Sequence, residues 1–512
     1  MFDVRERCFT IFPAAKHLAR RGDHRMSGSV TGAHLGWRRV LRRKPISMLN
    51  AESGADTGGG ELRRGIGTAR LTMIGVGSTV GTGIFIVLNE AVPKAGPAVV
   101  LSFVLAGITA ALTALCYAEL ASAIPVAGAS YTYAYATLGE IIAYVVGACL
   151  LLEYGVATSA VAVGWGEYLN ALLGDTVGWQ LPAALSAPPG DGGIVNVPAA
   201  VLVALCCVLL MRGAKESATI NAITVCIKLG VLLLFVVVAL RAFDSANLHP
   251  FTPFGIAGIG TAASTVFFSY IGMDCVSTAG EEVRNPRRTL PLAIFWCIVI
   301  VTTIYILVAL AGVGAQPWGR FEGQSAGLAA ILGDITHAGW PAILLAAGGV
   351  VSIFGVTLTT LYGQTRILFS MGRDGMVPKF FHTVHPRRRT PIRNTAVVSA
   401  FVGLLAAVVP LDTLANLTSM GTLVAFTVVS IGVIVLRRTR PDMYRGFRVP
   451  GYPVVPVLSV AACVYLIVEL PWETYLMFVI WIGLALALYF GYGIKHSKLA
   501  ALPEDANEAA AQ

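Results

Sequence analysis

Long apolar stretches alternate with short polar ones along most of the chain. Twelve can be drawn, at 69–92, 97–123, 138–160, 197–212, 219–241, 258–280, 290–314, 340–371, 393–409, 413–436, 454–470 and 473–492. Most run to about twenty residues, the length at which a helix crosses a ~30 Å hydrocarbon core. A segment in lipid must satisfy its backbone internally, and a helix does so. The pattern therefore predicts an all-α polytopic membrane protein of twelve transmembrane helices.

Two stretches break the pattern. The first carries Gly75, Gly77, Gly81 and Gly83, with Ser78, Thr79 and Thr82 between them. Glycine in a helix interior costs about 1 kcal/mol relative to alanine, so four within nine residues favour an opened helix. Two readings stand at this point. Opened backbone offers N–H groups to an anion and carbonyls to a cation, whereas small residues three or four apart also serve close helix packing. The sixth stretch is interrupted in turn at Phe267-Phe-Ser-Tyr-Ile-Gly-Met-Asp274-Cys-Val-Ser-Thr278. A repeat of five spans ends on the other side of the membrane from where it began, so a repeat built on these two breaks is inverted. Interrupted segments at matching places in two halves point to a transporter's midplane site.

This divides the chain into a basic extension at 1–62, a transmembrane domain at 63–492 and a tail at 493–512. Within the domain lie a first repeat at 69–241, a second at 258–436 and two additional helices at 454–492. Arg38, Arg39, Arg42, Arg43 and Lys44 cluster in the extension, which reads as a disordered or interfacial segment on anionic lipid. Met26 and Met48 leave a later start open. No cleavable signal peptide is expected, because the first apolar run comes late and continues into a full span.

Composition agrees with a bilayer as solvent: mean hydropathy is +0.73 and only 13% of residues are charged. The net charge of +9 does not point to nucleic acid, because the basic residues sit in short loops. Arg212 and Lys215, then Arg284, Arg287 and Arg288, fall in one set of loops. So do the basic residues from Arg373 to Arg393, from Arg437 to Arg448, and Lys495 and Lys498. The opposite set carries Lys94, Arg241 and Arg320. The positive-inside rule then places both termini in the cytoplasm of a multi-pass plasma-membrane protein. Apart from Cys8, the nine cysteines lie in apolar segments without metal-ligand spacing, so no metal or cofactor is expected. The absence of a phosphate loop, a paired-histidine metal motif or a nucleophile elbow gives no sign of an enzyme.

Charges inside spans ask for a role. Lys228 lies in the middle of the fifth stretch, too deep for easy snorkelling. It reads either as a fixed cross-link or as a protonatable ammonium donating to carbonyls freed in the first break. Burial and carbonyl donation act in opposite directions on an ammonium, so its charge can follow conformation. Glu153 and Asp274 face substrate or hold structure, and both readings are open. Glu119 and Glu140, near span ends, read as structural; Glu281 and Glu282 precede Arg284 and Arg287 and suggest a gating or surface pair. Ser352, Thr357, Thr359 and Thr360 either line the site or bond back to their own helix.

Several motifs together carry a resemblance. They are Gly77-Ser-Thr-Val-Gly-Thr-Gly-Ile-Phe85, Leu115-Cys-Tyr-Ala-Glu-Leu120, Leu152-Glu-Tyr-Gly-Val-Ala157, Phe267-Phe-Ser-Tyr-Ile-Gly-Met-Asp274, Glu281-Glu-Val-Arg-Asn-Pro286, Tyr362-Gly-Gln-Thr-Arg366 and Arg448-Val-Pro450. From about residue 42 to 498 the chain resembles bacterial members of the cationic amino acid transporter family, in the amino acid–polyamine–organocation superfamily. The resemblance implies a LeuT-like five-plus-five inverted repeat whose broken first and sixth helices enclose an α-amino acid. Thr82 and Gly83 match positions that bind the substrate carboxylate, with Ser78, Thr79 and Gly81 beside them. Phe268, Ser269 and Ile271 match positions whose carbonyls receive the ammonium, and Phe268 also matches an aromatic gate. Lys228 matches a lysine that replaces sodium in proton-coupled relatives, reaching Gly77 and Val80. Glu153 and Asp274 match acidic positions of the family.

The expected activity is proton-coupled uptake of cationic or small neutral L-amino acids by alternating access. An exchanger without net proton flux and a non-transporting amino acid sensor are the alternatives. The expected partners are substrate, protons and membrane lipid, with no nucleic acid. A small membrane-protein subunit is a possible addition to a chain that functions as a monomer.

Overall fold

The computed structural model describes residues 42–45, 66–81, 83–124, 128–212, 218–278, 283–336, 339–385 and 390–501. The extension before residue 42, Thr82, Lys215, and Glu281 with Glu282 lie outside the described residues.

Helix occupies each of the twelve expected stretches. The first is divided between α1 (Thr68–Thr79) and α2 (Val87–Ala95), and α3 (Val99–Ala123) follows. After a short α4 (Ala129–Thr137) comes α5 (Glu140–Val177), which contains a π turn at Leu152–Val156. Then follow α6 (Val197–Met211), α7 (Ala218–Arg241), and the second divided stretch, α8 (Gly255–Val266) and α9 (Cys275–Thr278). The second half continues with α10 (Pro286–Ala315), α11 (Gly327–Thr336), α12 (Gly339–Arg373) and α13 (Ile392–Val408). It closes with α14 (Leu411–Thr439), α15 (Val454–Val468) and α16 (Trp472–Leu488).

Among the described residues eight segments are long and apolar enough to cross a membrane by length and composition, while α6, α11, α13 and α15 are shorter. Their starts are set by local chemistry. At α6 the Asn196 side chain accepts from the Ala199 N–H at 3.1 Å, and Pro198 occupies the first turn, where its missing N–H costs nothing. Pro391, Pro410, Pro453 and Pro471 stand at the N-caps of α13, α14, α15 and α16.

Two departures from the expected pattern have a packing cause. The third span was expected to end near 160, yet α5 runs on to Val177. Its distal half packs on protein, with Gly164 against Ile86 and Tyr168 against Gly349 of α12, so it needs no uniform apolar face. The short helices α4 and α11 were not expected. In α4 the alternation of Tyr131, Tyr133 and Tyr135 with small residues gives no amphipathic signal, and the helix is buried nearly all round.

The main packing partners are α3 with α10, α5 with α12, α14 with α15, and α6 with α13. The divided stretches themselves pack chiefly on α3, α7 and α10, with α14 beside the second. The breaks are thus surrounded by protein, the condition under which irregular backbone is tolerated at membrane depth.

Candidate functional site

The first break opens where the Val80 N–H makes the last helical bond of α1, to the Val76 carbonyl at 2.8 Å. Gly81 then turns with φ of +109°, a conformation open to glycine alone at no steric cost. Helix resumes when the N–H groups of Ile86 and Val87 both donate to the Gly83 carbonyl, at 2.9 and 2.7 Å. The second break begins with a 3₁₀ turn at Phe267–Tyr270, passes through extended Ile271 and reverses at Gly272, whose φ is +94°. The opened-helix reading of the first stretch is the correct one.

Small residues also bring the breaks into contact, so the packing reading holds beside it. A β-carbon on Gly272 would stand 2.7 Å from the Ser78 carbonyl oxygen, and one on Gly75 would stand 2.9 Å from Cys297 Sγ. Ser78 Oγ has the Gly272 carbonyl at 2.8 Å and the Gly75 carbonyl at 3.0 Å as acceptors, while Thr79 Oγ1 donates back to Gly75 at 2.9 Å. From α10, the hydroxyl of buried Tyr305 sits 3.0 Å from the Thr79 carbonyl and 2.9 Å from that of Ser269. One phenol therefore reads the last turn before the first break and the middle of the second.

Lys228 comes from α7 and is 2% exposed. Its Nζ donates to the Gly77 carbonyl at 2.8 Å, and a β-carbon on Gly81 would lie 3.5 Å from that same nitrogen. The neighbourhood of Gly77 is tight: a β-carbon there would meet Val225 and Asn221 of α7. Val80 is buried at the end of α1. The ammonium is thus held against the edge of the first break.

Two acids are buried in other interrupted elements. Glu153 sits in the π turn of α5 and is 1% exposed; neither carboxylate oxygen has a hydrogen-bond partner among the described residues. The nearby Thr422 hydroxyl gives its proton to the Thr418 carbonyl instead. Asp274, 2% exposed at the end of the second break, takes a hydrogen bond from the Tyr154 hydroxyl at 3.0 Å on Oδ2, while its Oδ1 has none among those residues. A buried acceptor without a donor is costly, so these oxygens have capacity for a further hydrogen bond. Phe268, Ser269 and Ile271 are buried in the second break, and Ser269 Oγ has no hydrogen-bond partner among the described residues. The Phe268 carbonyl accepts from the Ile271 N–H at 3.3 Å, so it is engaged in the 3₁₀ turn.

Other polar groups within the spans bond to the protein itself. Glu119 binds Arg437, Arg445 and the Val449 N–H, and Glu140 accepts from Tyr135, Tyr489 and Ser497. The hydroxyls of Thr357, Thr359 and Thr360 bond back to carbonyls four residues earlier.

Two ion pairs at opposite ends were not expected as part of the site. Lys94 at the end of α2 reaches Asp412 of α14 at 2.6 Å and Thr265 of α8 at 3.0 Å. At the arginine-rich face Lys44, ahead of α1, binds Asp374 just past α12 at 2.8 Å, and Tyr131 of α4 donates to the other oxygen of Asp374 at 2.8 Å. Each pair ties a segment attached to the first stretch to an element of the second half.

A family model described as "Amino acid permease" matches residues 66–493. The chain belongs to the amino acid permease family. Its all-helical architecture is therefore the LeuT-like five-plus-five inverted repeat of that superfamily, with broken first and sixth helices. Among relatives of this permease is the methylthioribose transporter of Bacillus subtilis, 42% identical over 90% of this chain and 99% of the relative. The branched-chain amino acid permease BcaP of the same organism is also 42% identical, with the same coverage of both chains. The vacuolar cationic amino acid transporter 4 of Arabidopsis thaliana is 35% identical over 79% of this chain and 68% of the relative. Relatives of this permease are transporters, and it is a multi-spanning membrane protein of the amino acid transport class.

Proposed function

We propose that this permease couples inward proton movement to uptake of an L-amino acid by alternating access. The observation that carries the reading is the bond from Lys228 to the Gly77 carbonyl, because it places an ionisable group on the element that opens. In the cycle, a zwitterion lies between the breaks. Its carboxylate is held by backbone and hydroxyl groups of Ser78, Thr79 and Gly81 to Gly83, where the positive end of a half-helix favours an anion. Its ammonium is held by carbonyls of the second break, at Ile271 and, through the second lone pairs of carbonyls that already accept from Ile271 N–H and Tyr305, at Phe268 and Ser269, with Phe268 closing over it. Protonated Lys228 fixes α1 against α7, with Val80 as a second acceptor beside Gly77. Loss of the proton on the cytoplasmic side releases α1 and opens the site there. Both ligands bias one two-state element, which is what coupling requires. In this reading both termini lie in the cytoplasm and the membrane is the plasma membrane.

The residues of the breaks support two substrate classes. Glu153 and Asp274 supply unmet acceptors that suit a cationic side chain. Phe267, Phe268, Ile271 and Met273 are buried and suit a small neutral one, a reading favoured by the resemblance to a permease named for branched-chain amino acids. Proteoliposomes carrying wild type or Lys228→Ala, under an inward proton gradient and without internal substrate, test the coupling. Wild type should concentrate amino acid and the variant should not; concentration by the variant removes Lys228 from the mechanism. Competition by lysine, arginine, alanine, leucine and methylthioribose then assigns the substrate. If only methylthioribose competes, the amino acid reading is wrong.

A further inference from the structure

A cavity of about 600 Å³ opens sideways between α3 and α10, away from the two breaks. Its cause is visible in the sequence. Ala111, Ala114 and Ala118 share one face of α3 at helical spacing, so that wall is shallow. Leu292, Phe295 and Val299 form the facing stripe of α10 and are exposed. The two helices close up at one end of the groove, where a β-carbon on Gly107 would stand 2.7 Å from Thr302 Cγ2. At the other end Gly446 and Phe447 complete the lining, with Gly446 so close that a β-carbon would lie 2.8 Å from the α-carbon of Arg287.

The polar part of the lining is concentrated at that end. Arg287 and Arg288 stand in the first turn of α10, directly below the apolar stripe. Arg287 is held in place by stacking on the Tyr444 ring, 4.1 Å from guanidinium carbon to ring centroid. The bias of basic residues to one membrane face accounts for charge at this level. It does not account for a concave apolar groove whose lining includes two arginine side chains at that end. An acyl chain lying in the groove would bring a lipid phosphate to the arginines, in the order in which a phospholipid carries its chain and headgroup.

We propose that this groove is a binding site for one anionic glycerophospholipid, its phosphate on Arg287 and Arg288 and an acyl chain between α3 and α10. The occupant braces α3 against α10, the helix that carries Tyr305. Because α10 touches both breaks through that residue, the lipid steadies the scaffold on which the substrate site opens.

The test uses the whole permease in phosphatidylcholine vesicles doped with a phosphatidylglycerol that bears a diazirine on one acyl chain. After photolysis, labelled peptides are located by mass spectrometry, and unlabelled phosphatidylglycerol or phosphatidylcholine is added as competitor. Labelling of residues 111–118 and 292–299 should saturate and should be displaced by phosphatidylglycerol at least about tenfold better than by phosphatidylcholine. Labelling of the exposed face of α16, around Leu484, is the annular reference and should show no such preference. Arg287→Gln with Arg288→Gln should abolish the headgroup preference, and Ala114→Phe should lower labelling of the groove while leaving α16 unchanged. Equal competition by the two lipids, or equal preference at α16, would mean annular lipid only and overturn the proposal. Exclusion of the probe together with a protein–protein cross-link through residues 292–299 would overturn it in favour of a protein partner. Should Ala114→Phe fail to fold, the wild-type competition and the arginine variant still decide.

Discussion

No side chain fits on Gly83, because its β-carbon would stand 2.6 Å from the α-carbon of Ser269. The two breaks therefore meet backbone to backbone, with only a hydrogen atom's thickness available on one side. Neither can move without changing the other's surroundings, and any group that enters between them must part them. Close contact of two unwound segments couples the two halves of the repeat mechanically.

Gly83→Ala should reduce uptake at least about tenfold while leaving the permease folded. A methyl group forced into a packed site costs roughly 1–3 kcal/mol, and here the strain falls on the backbone of the second break. Initial uptake rates in proteoliposomes, normalised to protein recovered as a single species on gel filtration, measure the effect. Near-normal uptake would show that the breaks separate at this point without consequence.

Tyr305→Phe removes one hydroxyl that faces two carbonyls, those of Thr79 and Ser269. A single proton serves both, so the lost bond is worth about 1 kcal/mol in stability, a shift of a few degrees at most in thermal unfolding. The transport defect should be larger than that shift implies, because the phenol spans the two unwound segments. Expected is a several-fold fall in maximal rate, measured by concentration dependence of uptake at equal protein. A change in apparent affinity alone would assign Tyr305 to ligand binding.

The parts of this site that could be read from the chain were those that violate the rules of a membrane helix. Four glycines near Gly81, and a lysine among leucines and valines at 228, stand out because a span normally tolerates neither. Tyr305 violates nothing: an isolated tyrosine within an apolar span looks like packing until its acceptors are known. The pairing of Lys44 with Asp374, or of Lys94 with Asp412, joins residues more than three hundred positions apart. Loop charge indicated a side of the membrane for each lysine but could not name its partner. The length of α5 was hidden for the same kind of reason, since residues beyond 160 lean on protein and lose the apolar signature of lipid.

The pair between Lys94 and Asp412 is partly open, with side chains 24% and 40% exposed. An ion pair so hydrated contributes less than about 1 kcal/mol, so little free energy opposes its opening. Asp412→Asn should loosen α2 from α14 and raise amide hydrogen exchange in the peptide covering Val87–Ala95 several-fold, with α16 unchanged. Uptake should fall only modestly. Unaltered exchange in α2 would exclude this pair as a latch on that side.

The pair at the arginine-rich face has the opposite character. Lys44 and Asp374 are each 4% exposed, and Tyr131 completes the hydrogen bonding of the carboxylate. Removing one partner of a buried pair costs about 3–5 kcal/mol because the remaining charge is left without compensation. Asp374→Asn should therefore release the segment ahead of α1 and shift the permease towards the state open at that face. Cys275, part-buried at the start of α9 behind the second break, is a native reporter of that opening. Its alkylation by a membrane-impermeant maleimide, followed by peptide mass spectrometry, should quicken at least about tenfold in the variant. Lys44→Met should do the same if the pair acts as a latch. An increase with Asp374→Asn but none with Lys44→Met would assign the effect to Tyr131 and α4, because only that contact depends on the carboxylate without the lysine.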